Sequence, residues 1–137
     1  SQYTARLAAD QFLTQIRTAQ RLALLKQNAT DVLRLTAAQN TNNWVIAITQ
    51  GTTNINQFEI ERDNTNVRGS TTNFTDACSA LPLVTFPLSL FFDGYGNSVN
   101  SSRVQVTTNQ RICLESDNTV ELCVSPSGYA YEGICQS

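Results

Sequence analysis

The chain has 137 residues, enough for one domain with a single core, and 41 % of them are hydrophobic without any run of the roughly 18 apolar residues that a membrane helix needs. Charged residues make up only 15 % and the formal net charge is −2, so there is no general attraction to polyanions. There is no His, which excludes Ser-His-Asp and Cys-His nucleophile pairs and every His-containing zinc site.

The first element is legible in ARLAADQFLTQIRTAQRLALLKQNAT, residues 5–30. Ala5, Ala9, Phe12, Ile16, Ala19 and Ala23 recur at alternating spacings of four and three, with Leu13 and Leu22 widening the stripe. The many alanines let such a helix lie close against a sheet. Arg6, Asp10, Gln15, Arg17, Gln20 and Arg21 occupy much of the remaining surface. Asn28 is a suitable terminator, so the helix is predicted over about 3–27.

The period then changes to two. Strands are predicted at 32–35 and 44–49, around the polar turn 39–43, and at 57–62, where apolar and polar residues alternate. The Asn/Thr/Gly/Ser-rich stretch 63–75 reads as a loop. Pro82 and Pro87 disfavour a central strand before Leu88, so the next strand is 88–92, followed by the turn Asp93–Asn97. Strands near 103–107, 110–115, 119–125 and 129–135 follow, with turns at Asp117-Asn118 and at Pro126-Ser127-Gly128. The expected class is therefore α+β. One long N-terminal amphipathic helix packs on antiparallel β-sheets of about seven strands. A single domain over 1–137 divides into a helical segment, 1–27, and a β-rich head, 30–137.

All the cysteines, Cys78, Cys113, Cys123 and Cys135, fall in the second half. Their even number and the lack of any C-x-x-C pair predict two disulfides and an exported chain. Three pairings are possible. If the Asp117 turn has a three-residue loop, ladder geometry sets Cys113 opposite Cys123 and leaves Cys78–Cys135.

Other candidates have plain readings. Asp93 and Asn97 flank a Gly-rich segment that offers one carboxylate and lacks the spacing of a calcium loop, so a glycine turn is expected. Glu59 and Glu61 share one face of a strand, where edge charges are common. Asp10 and Arg17, two turns apart, fit a solvated or partner-facing helix side. The Asn-x-Ser/Thr triplets at Asn28, Asn73 and Asn100 match a glycosylation pattern that chance produces readily in a chain this rich in Asn and Thr. No cofactor or metal site is expected, nor any catalytic set.

The segment AADQFLTQIRTAQRLALLKQNAT, the Trp44 that opens the second strand, LSLFFDGYGN and CVSPSGYAYEGIC together resemble the type IV pilin-like superfamily, in particular minor pilins and pseudopilins of the FimT and pseudopilin H branch, including MSHA-type minor pilins. The resemblance covers nearly the whole chain but rests on small residues and hairpin punctuation. It implies the pairing Cys123–Cys135 with Cys78–Cys113, against the ladder argument. It also implies an upstream half carrying a basic leader, a processing site and about 20 apolar residues that anchor in the inner membrane, so that Ser1 marks a truncation. A conventional signal peptide ending at Ser1 is the alternative.

The implied function is non-catalytic. It is assembly or priming of a type IV pilus or a type II secretion pseudopilus, at the inner membrane with a periplasmic domain or within a surface pilus. The partners would be other pilin or pseudopilin subunits, met through the helix face with Arg6, Asp10, Arg17 and Arg21. DNA binding, known among FimT-like pilins, would need a basic C-terminus. Here Glu115, Asp117, Glu121 and Glu132 follow Arg111 with no further Lys or Arg, and Arg62, Arg68 and Arg103 are scattered. The other class to weigh is a secreted adhesin or glycan-binding β-domain using Tyr95, Tyr129 and Tyr131.

Overall fold

The computed structural model describes residues 4–26 and 31–137. The helix α1 runs Thr4–Leu25. The ends predicted for it at 1–3 and 27, its terminator Asn28 and the triplet there lie outside the described residues. Nine strands follow: β1 Leu33–Gln39, β2 Asn43–Gln50, β3 Thr53–Glu61, β4 Asn66–Ser70, β5 Leu88–Phe92, β6 Ser98–Val99, β7 Gln110–Glu115, β8 Thr119–Val124 and β9 Ala130–Glu132. They form two antiparallel sheets, ordered β3-β2-β1-β5-β6 and β4-β7-β8-β9.

This corrects the predicted architecture of about seven strands beneath a helix reaching residue 27. The class remains α+β, but there are nine strands, and the described helix is 22 residues long. Two strands come from stretches that sequence pattern does not mark. β4 lies inside the predicted loop 63–75. It is a strand because β7 pairs with it from Asn66↔Glu115 to Ser70↔Arg111, burying Val67. β6 is two residues paired with the end of β5. Conversely, 103–107 forms no strand. Arg103 takes a positive φ of 66°, and only an isolated bridge, Val99↔Gln105, links this segment to β6.

Register explains the core. On the first sheet Leu33↔Phe92, Leu35↔Leu90, Leu35↔Ile48, Ala37↔Ile46 and Trp44↔Ile60 are direct partners, and all of them are buried. On the second, Val67↔Leu114, Ile112↔Leu122, Leu114↔Val120 and Val124↔Ala130 line the inner face. Helix residues Ala5, Ala8, Ala9, Phe12, Leu13, Ile16, Ala19 and Ala23 join both sets in one cluster. Phe12 meets Trp44 edge to face, with ring centroids 5.1 Å apart. The Trp44 indole N–H donates to Gln39 Oε1 at 2.9 Å, so its polar edge is satisfied.

The outer face of the second sheet has its own packing. Cross-strand partners Arg111↔Cys123 and Cys113↔Glu121 share that face. Arg111 Nε donates to Glu121 Oε2 at 3.0 Å and Arg111 Nη1 to the Asn73 carbonyl at 3.2 Å, while Glu121 Oε2 accepts from the Cys135 N–H at 2.8 Å. The bridges Cys78–Cys113 and Cys123–Cys135 tether the segments that cover this pair. The ladder argument fails by one position. The loop is three residues, Ser116–Asn118, but it is centred on Asp117, so Cys113 faces Glu121 rather than Cys123.

The two sheets also meet at a junction of turns. Gly96 and Gly128 have φ of 80° and 83°. A Cβ on Gly128 would stand 1.8 Å from the Gly96 carbonyl oxygen. Gln20 of α1 reaches over both turns, its Nε2 lying 3.4 Å from the carbonyls of Gly96 and Ser127. Ser98 N–H donates to the Pro126 carbonyl at 2.9 Å.

Two stability measurements check this account. Phe12→Ala empties the contact with Trp44 and is expected to lower unfolding free energy by about 3–5 kcal/mol in urea titration. Gly128→Ala forces backbone apart in a conformation that L residues avoid and is expected to cost about 1–3 kcal/mol or more.

Candidate functional site

One face of α1 is turned away from both sheets. Leu7, Asp10, Thr14, Arg17, Arg21 and Leu24 are exposed at alternating spacings of three and four. This is the complement of the buried stripe and runs the described length of the helix. Leu7 is 58 % exposed and Leu24 44 %, so both ends of the stripe carry apolar surface and its middle carries charge.

The residues expected to form a partner face divide into two groups. Arg6 and Asp10 belong to an ion cluster at the N-terminal half. Arg6 Nη1 donates to Glu132 Oε2 at 2.8 Å, and Arg6 Nη2 lies 3.2 Å from Asp10 Oδ1. Hydrogen bonding from Arg6 holds the Glu132 carboxyl below the ordinary glutamate range, and the same bond raises Arg6, with a further contribution from the nearby Asp10 charge. Arg6 therefore clamps the helix to β9 rather than standing free. Beside it, Thr4, Arg6, Leu7, Ala8, Asp10, Glu61 and Asp63 line an open depression of about 370 Å³.

Arg17 and Arg21 form the second group. Arg17 Nε donates to the Ala130 carbonyl at 3.1 Å. Arg21 has no side-chain partner among the described residues. Together with Gln20, Leu24, Tyr129 and Ala130 they line a shallow depression of about 270 Å³. Tyr129 is 55 % exposed, and its ring lies 5.8 Å from that of Tyr131. Sequence reasoning selected the two arginines for a partner face and Tyr129 only for a glycan-binding alternative, not as their neighbour. Tyr129 lies far along the chain and reaches this face only because β9 runs beside α1.

The remaining candidates are occupied locally. Asp93 Oδ1 accepts the N–H groups of Tyr95 and Asn97, at 3.0 and 2.9 Å, and so closes its own turn. Asn73 and Asn100 use their side-chain oxygens in the same way, toward Asp76 and Val104. Arg62 donates to the carbonyls of Thr65 and Asn40, Arg68 pairs with Glu115, and Arg103 with Asp31. Cys78, Cys113 and Glu121 bring potential metal-ligand atoms together, but the two sulfurs are bonded to each other and Arg111 faces the carboxylate. Glu59 and Glu61 are exposed on β3, across from Val45 and Asn43. Tyr95 stands alone in solvent.

No described helix is long and apolar enough to cross a membrane. No protein-family model matches this chain, and neither a curated protein nor a solved structure matches it significantly.

The Arg6–Glu132 bond makes a pH prediction. Because the folded-state carboxyl is depressed, its contribution is present above the ordinary glutamate pKa and is lost as pH falls through the folded value. Both side chains are more than a third exposed, so screening limits the effect to no more than about 1 kcal/mol. Glu132→Gln is expected to lower the melting temperature slightly near neutral pH, with the difference closing as pH is taken below the ordinary glutamate range. Thermal scans across that range measure it.

Proposed function

We propose that this chain is a non-catalytic minor pilin or pseudopilin subunit that acts in assembly or priming of a type IV pilus or a type II secretion pseudopilus. Its partners in this reading are other pilin or pseudopilin subunits, and the inner membrane through an apolar extension of the helix. Its place is the inner membrane with a periplasmic domain, or a surface pilus. The observation that carries the reading is the exposed stripe of α1. A helix buried along one side and carrying along the other a pair of arginines with no acidic partner among the described residues, next to exposed Leu24, is suited to neighbouring subunits. The cystines agree with an exported chain. The sequence resemblance supplies the choice of machine.

A secreted adhesin or glycan-binding domain is the second reading, favoured by the paired rings of Tyr129 and Tyr131 beside Arg17. The coding sequence ahead of residue 1 separates the two. A basic leader followed by about 20 apolar residues with an early Glu supports the filament subunit, whereas a conventional signal peptide supports the adhesin.

Charge reversal tests the face itself. Arg17→Glu with Arg21→Glu is expected to abolish filament assembly or secretion in the native cell, while changing the domain's stability by less than about 1 kcal/mol. Normal assembly by the double variant would remove this interface.

A further inference from the structure

We infer that the free edge of β3 is a strand-addition site for an extended, basic segment of a different polypeptide. Of the four sheet edges, β3 alone is both long and uncovered among the described residues. The outer side of β4 is closed by the segment after Pro82: Gly69 N–H donates to the Pro82 carbonyl at 3.1 Å, Val84 N–H to the Val67 carbonyl at 2.9 Å, and Arg68 bridges to Leu83. β6 is two residues long and is covered by Gln105 and by the Val106 N–H, which donates to the Ser98 carbonyl. β9 is three residues, and Arg17 caps its Ala130 carbonyl. β3 has nine residues and pairs on one side with β2, with a bulge at Ile55 that leaves Asn56–Glu61 in unbroken register, and among the described residues it has no backbone hydrogen bond to anything beyond it. An edge of this kind is a template for another strand, because alternate N–H and C=O groups point outward unpaired.

The two faces of that edge define the occupant. Glu59 and Glu61 lie on one face, both exposed and without a cation partner among the described residues. Phe58, the partner of Ile46, lies on the other and is 37 % exposed. Just beyond the strand, Asp63 adds a carboxylate, and Arg62 folds back onto Thr65 and Asn40 instead of neutralising the edge. A matching strand therefore places Lys or Arg at alternate positions opposite the glutamates, where opposite charges across a ladder are favourable, and apolar residues between them to cover Phe58. A second copy of this chain does not fit. β1, β4 and β7 carry one arginine each, β2, β3, β5, β6, β8 and β9 carry none, and no strand alternates cations. β3 set against β3 would only gather more carboxylates.

The probe is a synthetic nonapeptide alternating lysine with valine, together with a control that has glutamate in place of lysine. Each is titrated into the folded chain while amide exchange is followed by NMR. The lysine peptide is expected to protect alternate amides within the regular stretch Asn56–Glu61, and the control to leave them unchanged. Glu59→Lys with Glu61→Lys is expected to weaken the lysine peptide by about tenfold and to admit the control. Both positions are exposed and unpaired, so the variant folds, and circular dichroism checks that it does. The inference is overturned if β3 amides gain no protection, if binding occurs without protection there, or if the chain dimerises through β3 without peptide. Strand addition and assembly through Arg17 and Arg21 use different elements, so either can fail without the other.

Discussion

The architecture depends on how closely α1 approaches two sheets at once. Five alanines, Ala5, Ala8, Ala9, Ala19 and Ala23, make up most of its buried stripe, and each keeps the helix axis near a sheet surface where a larger side chain would hold it away. Phe12, Leu13 and Ile16 fill the space between. Neither sheet closes its inner face alone, because the first brings the face around Trp44 and the second that around Leu122. The helix is what makes these two half-cores one. Its backbone position is then fixed laterally by polar contacts at its two ends. Arg6 holds β9 through Glu132, and Gln20 holds the two glycine turns.

The second sheet has the harder problem. Its outer face carries Arg111 and Glu121, and charges removed from water are costly unless paired and fully bonded. Here the pair is bonded by two segments outside the sheet, the one carrying Asn73 and Cys78 and the C-terminal one carrying Cys135. The cystines keep both segments in place. Each bridge starts from the same face as the ion pair and anchors the chain that covers it. The disulfides and the ion pair are thus one device, in which covalent tethers hold in place the segments that bury Arg111 and partly cover Glu121.

What the sequence made legible follows range. The helix stripe, the β1–β2 hairpin around Asn40 and the β7–β8 hairpin around Asp117 are local, and period or turn chemistry declares them. The need for two cystines was equally plain. β4 was not, because NVRGS offers a single apolar residue and becomes a strand only when β7 supplies the ladder. Residues 103–107 look like a strand by composition, yet Arg103 turns them away. The Cys113 register turned on a one-residue choice of loop centre, and in a ladder that choice moves every partner by two. At the candidate site, Arg17 and Arg21 could be selected from helical spacing alone. That Arg6 is consumed by Glu132, and that Tyr129 joins the arginines, depends on β9 returning beside the helix from the far end of the chain.

The distribution of spent and unspent charge separates structure from function. Arg6, Arg34, Arg62, Arg68, Arg103 and Arg111 each donate to a specific partner, so the fold accounts for them. Among the described residues Arg17 commits only its Nε and Arg21 commits nothing. Cations favour a helix C-terminus, but that effect fades beyond the last turn, and the last turn of α1 contains none. Like charges one turn apart oppose helix formation by about 0.2–0.5 kcal/mol. Arg17 still ties the helix to β9 through the Ala130 carbonyl, but neither helix stability nor packing requires Arg21 to stand one turn from it, beside exposed Leu24. In the reading proposed above, that uncompensated charge serves a neighbouring subunit.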